Sequence, residues 1–439
     1  MLERLFHLTA RGTSVRIETL AGLTTFLTMA YIVFVQPTVL SAAGMDFGAV
    51  MTATCLASAA ATLLMAFLAN YPIAVAPAMG HNFFFAYTVV LAGKTPWPIA
   101  LGAVAIAGMI FVATAGFGLR EKLITSVPDS LKHAIAVGIG LLITLVGLEW
   151  CGIIVAAPGT FVTLGKLTTP PTLLALGTLA VMAILTARGV KGAMLIGMVM
   201  ATVAGLAMGL VKFDGVVSAP PSLAPTFMHL DIRGAFSLAH LDAIVVFLFL
   251  ALFDSVGTLI GVASRIGVMK DGKLPRAREA LLADAVGTVV GAGLGTSTVT
   301  AYIESSTGVA AGGRTGLANV VTAALFLAAL FFSPLVKMIA GGHAAPGGIT
   351  LYPVVAPALI LVGVMMMQSV AEIRWTDMTE AIPAFLTLAT MPLAVSITDG
   401  IAFGFISYAL LKVATGRWRE VPALVYVFAV LFLARYAWL

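Results

Sequence analysis

Residues 295–309 read Gly295-Thr-Ser-Thr-Val-Thr-Ala-Tyr-Ile-Glu-Ser-Ser-Thr-Gly-Val309. Glu304 in this stretch lies deep in the second half of a very hydrophobic chain. An acidic side chain in the middle of a bilayer costs several kcal/mol, so its presence there points to a function. At about 1.5 Å per residue the segment is too short to span the hydrocarbon core as a helix. It is also rich in small hydroxylated residues. The combination predicts a binding site at the middle of a membrane, built where a helix starts inside it.

The composition supports that setting. Of 439 residues, 60% are hydrophobic and only 10% are Asp, Glu, Lys or Arg, against roughly a quarter in soluble domains. Mean hydropathy is +1.08. Too little charge remains to cover a soluble surface, so the chain reads as an all-α polytopic membrane protein. Cys55 and Cys151 form neither a disulfide framework nor a metal pattern, and no metal or other cofactor is expected. The net charge of +5 does not point to nucleic acid, because the positive residues fall in short loops on one side. The first sixteen residues carry Glu3, Arg4, Arg11 and Arg16. They read as a cytoplasmic tail with a short surface helix at 2–8, and no cleavable leader is evident.

Apolar segments divide into two sets of seven. The first half yields 20–40, 48–69, a short segment at 79–92, then 99–118, 131–148, 172–187 and 192–210. The second yields 240–263, 279–293, a short segment at 299–311, then 315–336, 352–368, 380–396 and 398–413. With the N-terminus inside, the cytoplasmic loops receive Arg120, Lys122, Lys132, Arg188, Lys191, Arg265, Lys270, Lys273, Arg276, Arg278, Arg314, Arg374, Lys412, Arg417 and Arg419. The outer loops receive Lys94, Lys166, Lys212 and Arg233, with Lys337 at the margin. This obeys the positive-inside rule, and only if both short segments cross. Seven spans per half make an inverted repeat. Each short segment follows a stretch unsuited to helix, residues 70–77 with two prolines and 291–299 with Thr and Val. Two such stretches meeting near the midplane predict short antiparallel strands ahead of half-helices three and ten. The apolar segment 421–438 is long enough either to cross or to lie at the interface.

Asp254, in Leu250-Ala-Leu-Phe-Asp-Ser-Val-Gly-Thr258, falls near the centre of span eight. It is read as a ligand or proton site; the competing reading is a carboxylate capping a neighbouring helix. No Lys or Arg is found mid-span to make a simple buried ion pair. Glu304 sits five residues into span ten, where a helix N-terminus favours negative charge; the competing reading is that it caps its own first turn. On the matching segment, Ala76-Pro-Ala-Met-Gly-His-Asn-Phe-Phe-Phe-Ala-Tyr87, Asn82 both donates and accepts hydrogen bonds. Phe83 or Phe84 offers a ring to stack on a flat ligand. His81 is read either as a proton relay or as a hydrogen-bonder at a helix start. Thr28, Thr258, Thr300 and Ile303 complete the candidate lining. Asp284, Glu149, Glu380 and Asp399 read as interfacial or capping groups. Two carboxylates, an amide and an aromatic suit a neutral planar heterocycle with several N–H donors. Buried carboxylates also suit proton coupling, with Asp254, Glu304 and His81 as the candidate carriers.

These motifs closely resemble the azaguanine-type adenine, guanine and hypoxanthine permeases of the nucleobase-cation symporter-2 superfamily. The resemblance is carried by Thr19–Val35, Ala76–Val90, Phe249–Val262, Gly295–Arg314, Glu380–Thr387 and Thr398–Gly404, which are spread along essentially the whole chain. It implies a proton-coupled purine importer of a bacterial-type cytoplasmic membrane, with purine and protons as its ligands. It implies a core domain (20–118 and 240–340, spans one to four and eight to eleven) and a gate domain (119–210 and 341–439, spans five to seven and twelve to fourteen, with the C-terminal segment). Residues 1–19 form the cytoplasmic tail and 211–239 join the halves. The resemblance places substrate between spans three, eight and ten, at Asp254, Glu304 and Asn82, with Phe83 or Phe84 over the ring. Gln36-Pro37 stands where Asn-Pro is usual, and Ala78-Met-Gly-His-Asn-Phe83 where Gly-Met-Gly-Leu-Asn-Ala is typical.

The favoured mechanism is elevator-type alternating access, braced by a homodimer joined through the gate domains. Its main rival is a transporter of the same fold for uracil, xanthine or urate, or another small solute. Two central acids disfavour an inorganic anion. No ring-forming filter motif supports a channel, and no nucleophile with an adjacent base supports an enzyme.

Overall fold

Ser14 accepts a hydrogen bond from the Ile17 amide and so starts the first long helix, α1 (Val15–Met29). The structure is a computed structural model and describes residues 2–117, 127–237, 240–268, 274–345 and 350–438. Arg120, Lys122, Lys270 and Lys273, counted above among the cytoplasmic charges, lie outside the described residues. The apolar helix begins inside the expected tail, and Phe6 and Leu8 of that tail are buried against Leu317. The expected continuous span 20–40 is interrupted at Ala30-Tyr31, after which α2 (Ile32–Ala42) continues with Pro37 inside it. Next come α3 (Phe47–Leu64), extended by a π-helical turn to Ala69, strand β1 (Val75–Pro77), and α4 (Met79–Phe83), which runs on as π-helix to Ala92. Then follow α5 (Trp97–Phe117), α6 (Asp129–Trp150), α7 (Pro170–Ala187) and α8 (Ala193–Ala207).

The second half begins with α9 (Leu241–Ile266) and α10 (Ala277–Leu294). Gly295, at φ +97°, ends α10 in a backbone region that costs glycine little. Strand β2 (Val299–Ala301) and the six-residue helix α11 (Ser305–Ala310) follow. The remaining helices are α12 (Gly316–Ala329), α13 (Ser333–Ala340), α14 (Ala356–Met366), α15 (Met378–Ala394), α16 (Ile397–Ala414) and α17 (Ala423–Trp438). Two hairpins not foreseen from the sequence pair 154–157 with 161–164 and 343–344 with 350–351. Among the described residues, eight helices are long and apolar enough to cross a membrane. The protein is an all-α polytopic membrane protein.

β1 and β2 pair antiparallel, with Val75 opposite Ala301, Ala76 opposite Thr300 and Pro77 opposite Val299. Every residue of both strands is buried, so their backbone groups must be satisfied within the protein. Each strand is clasped from the preceding long helix. Thr62 on α3 donates to the Val75 carbonyl at 2.9 Å and accepts from its amide at 3.0 Å. Thr288 on α10 does the same for Val299, at 2.8 and 3.3 Å. Asn319 on α12 adds donors to the Tyr71 and Ile73 carbonyls at 3.0 and 2.7 Å.

Several acids stand differently from their reading as capping or interfacial groups. Asp284 is fully buried on α10 and accepts from the Ala301 amide at 3.2 Å. Glu380 is paired with Lys412, itself 1% exposed, at 2.9 Å. The sequence treated Lys412 as a loop cation, because the residue's place on the inner turn of α16 depends on how α15 and α16 pack. Segment 421–438 forms α17, which returns along α16. Arg435 near its end meets Asp399 in the first turn of α16 and Asp242 in the first turn of α9, each at 2.9 Å.

Candidate functional site

The paired strands end where two short helices begin, and the candidate residues gather around those ends. Glu304 occupies the N-cap position of α11, and its side chain makes no capping bond there. The helix starts later than expected, because Val299–Ala301 pairs as strand; the acid therefore stands at the helix start instead of one turn inside it. The carboxylate accepts a hydrogen bond from the Tyr31 hydroxyl at 2.7 Å. Tyr31 lies at the break between α1 and α2 and is buried. One turn back, the Thr28 and Thr307 hydroxyls meet at 3.0 Å, so Thr28 faces α11.

Asp254 lies in the middle of α9, yet its side chain is 45% exposed. It accepts from the Thr300 hydroxyl at 2.9 Å, and His81 Nδ1 approaches it at 4.0 Å. Along α9 the residues Asp254, Gly257 and Ser264 are exposed and Gly261 partly so. Their spacing puts them on one helical face. This stripe of small and polar residues runs from the acid to the Arg265 end of the helix. Ile303 is also exposed, at 46%, and Glu304 is partly exposed. Thr258 is buried. Asp254, Thr300, His81, Ile303 and Glu304 are thus held around the β2–α11 junction.

The first short helix contributes differently. Asn82 is fully buried, and its Oδ1 accepts from the Ser297 hydroxyl. Gln36, on α2, donates to Thr296 at 2.8 Å and to Ser297 at 3.3 Å. A polar chain therefore runs from span one through the loop before β2 to Asn82. Phe83 and Phe84 are fully buried; Phe83 stacks on Tyr87 at 5.4 Å and Phe84 meets Phe247 edge-on at 4.6 Å. Neither ring faces the exposed stripe. His81 is buried, with no hydrogen-bond partner on either ring nitrogen among the described residues. Ser297 is among the hydroxylated residues read from the sequence as candidate caps and contacts, and Tyr31 ends the hydroxylated stripe that begins at Thr24, but neither their partners nor that of Gln36 was foreseen. Sequence reasoning missed Tyr302, whose hydroxyl donates to the Pro77 carbonyl.

Among the described residues, no group of three or more His, Cys, Asp or Glu is placed to hold a metal. The donor set is two carboxylates, hydroxyls, an amide and an imidazole, inside apolar helices. It suits a small hydrogen-bonding solute.

A model of a family described as "Permease family" matches residues 16–403. The chain belongs to that family. A putative permease of Methanocaldococcus jannaschii is 52% identical over 440 residues, covering 100% of this chain and 98% of that protein. The adenine permease AdeP of Escherichia coli is 45% identical, covering 99% and 96%. The guanine/hypoxanthine permease PbuG of Bacillus subtilis is 46% identical, covering the full length of both. Among solved structures, the transmembrane domain of the cyanobacterial bicarbonate transporter BicA aligns with a TM-score of 0.66, covering 88% of this chain and 97% of that one. At 14% identity that likeness concerns the fold. The permease is thus a membrane transport protein of the nucleobase permease group that its motifs resemble, and not an enzyme.

Proposed function

We propose that the permease takes up a purine nucleobase (adenine, guanine or hypoxanthine) across the cytoplasmic membrane, coupled to protons. The observation that carries this reading is the pair of acids, Asp254 from an intact helix and Glu304 from the start of a short one, both open to one polar stripe in an apolar protein. Ring N–H and amino groups of a purine donate to carboxylates. Near-full-length identity to adenine and to guanine/hypoxanthine permeases supports the substrate class. Asn82 keeps a buried amide nitrogen without a partner among the described residues, and His81, on the first short helix and 4.0 Å from Asp254, is a third candidate proton carrier.

We read fourteen crossings in two inverted sets of seven, with the N-terminus cytoplasmic and α17 as a further apolar helix that returns along α16. Spans one to four and eight to eleven form the core, and the remaining spans form the gate. The exposed stripe on α9 leads from Asp254 toward Arg265, the cytoplasmic end in this orientation. The other half of α9 is closed by Phe84 against Phe247. This asymmetry supports an inward-open state of an elevator-type cycle, with homodimerisation through the gates. The BicA-like fold admits an anion carrier as a second reading, but two acids at the centre oppose binding an anion.

The test is a calorimetric binding panel of purified protein against adenine, guanine, hypoxanthine, uracil, xanthine and bicarbonate across pH. It is paired with uptake into proteoliposomes under an imposed pH gradient. Purine binding and uptake that collapses with a protonophore are expected. Binding of uracil in preference to every purine, or uptake indifferent to the gradient, overturns the substrate or the coupling respectively.

A further inference from the structure

Glu304 is not an entirely free acceptor, because one of its oxygens is already engaged. Tyr31 donates to Oε1 at 2.7 Å from a position 273 residues away in sequence. The hydroxyl is not needed to hold α11 in place. A Cβ on Gly308 would lie 2.7 Å from the Ala21 carbonyl, so α1 and α11 already pack backbone to backbone. The Thr28–Thr307 contact ties them again one turn away. Nor does Glu304 cap its own helix. The Tyr31 hydroxyl therefore acts on the carboxylate, fixing the rotation of its plane.

We propose that Tyr31 is a positioning residue for ligand recognition, holding Oε1 of Glu304 so that the other oxygen is offered to a single N–H of the ligand. This rests on the reading that Glu304 receives a purine N–H. A hydrogen bond to a charged group contributes roughly 1.5–3 kcal/mol, so loss of alignment is expected to weaken binding about tenfold or more. The test measures affinities of the full-length protein, Tyr31→Phe and Thr307→Val for a purine and its mono-N-methylated derivatives, with thermal melting alongside. Thr307→Val cuts the other side-chain tie between α1 and α11. Tyr31→Phe is expected to weaken the parent purine. One methylated derivative, the one lacking the N–H that Glu304 receives, should bind the unmodified protein and Tyr31→Phe equally, and Thr307→Val should leave affinities unchanged. If Tyr31 were only a tether, Tyr31→Phe and Thr307→Val would weaken every derivative alike, and that result overturns the proposal. Purine binding indifferent to Tyr31→Phe also overturns it. Absence of purine binding to the unmodified protein overturns the substrate reading with it.

A separate observation, at the end of α9 remote from Arg265, carries a second inference. Arg435 bonds Asp242 on α9 and Asp399 on α16 at 2.9 Å each, and Tyr436 donates to Asp399 at 2.6 Å. Midway along α17, Phe428 meets Phe249 of α9 at 4.6 Å and Phe405 of α16 at 5.7 Å. In the proposed division α9 is core and α16 is gate. We infer that α17 is a strap across that boundary and Arg435 its latch, pinning the closed side of the site. The test uses Phe247→Cys with Cys55→Ser and Cys151→Ser, labelled by an impermeant maleimide added outside proteoliposomes. Asp242→Asn or Arg435→Gln is expected to speed labelling severalfold by releasing the core. Unchanged labelling with intact purine uptake overturns the latch. Labelling absent in every background, despite uptake, overturns the core–gate division itself.

Discussion

The two short helices that meet at the strand pair are built alike and furnished differently. Each follows a buried three-residue strand, and each strand is clasped by one threonine of the preceding long helix, Thr62 on Val75 and Thr288 on Val299. Beyond the strands the likeness stops. Behind β1, Asn82, Phe83, Phe84 and Phe85 are fully buried and packed, and the helix continues to Ala92. Behind β2, the helix ends after six residues and brings Ile303 and Glu304 to the exposed stripe. The backbone problem, satisfying peptide groups inside a membrane, has one solution used twice. In the proposed function the ligand chemistry is carried mainly by the second copy, and the first shapes and closes the site.

The sharpest way to break this comparison is to disable the second copy alone. Glu304→Gln keeps an oxygen for Tyr31 but removes the charge, and is expected to lower purine affinity about a hundredfold, in line with loss of charge-assisted hydrogen bonds. Near-normal affinity by calorimetry would sink the assignment. Asp254→Asn tests whether the intact helix shares the work. A loss of roughly tenfold to a hundredfold is expected on the same grounds, and none at all would leave Glu304 acting alone. The equivalence of the scaffolds is tested by Thr62→Val and Thr288→Val. Each removes bonds to a buried strand and is expected to cost about 1–3 kcal/mol, read as lowered melting in detergent. A large loss for one and none for the other would show that the two clasps are not equivalent. The smallest effect is expected from His81→Leu. The imidazole has no hydrogen-bond partner among the described residues and stands 4.0 Å from Asp254, so melting should hold while the pH dependence of uptake changes. An unchanged pH profile would make His81 a packing residue.

Local sequence made some of this legible for plain energetic reasons. A mean hydropathy of +1.08 leaves no soluble solution, and an acid in such a chain costs enough that Asp254 and Glu304 stand out. Two prolines and β-branched residues marked 70–77, the stretch that contains β1, whereas the second expected stretch, 291–299, is helical to Leu294 and meets β2 only at Val299. The start of α11 was not legible, since Val299–Ala301 is as apolar as a helix interior and only its partner strand makes it a strand. Lys412 was likewise misplaced, its burial depending on Glu380 from the neighbouring helix.

The sequence by itself determined the solvent this chain needs and which residues are too costly to be incidental. Hydrophobicity and charge are properties of each residue, and their cost in lipid is read position by position. Only the tertiary structure decided what each acid faces. Glu304 meets Tyr31 across 273 residues, Gln36 reaches Thr296 across 260, and Arg435 joins two helices from a third. Hydrogen bonds and ion pairs form over about 3 Å, and no separation along the chain predicts that distance.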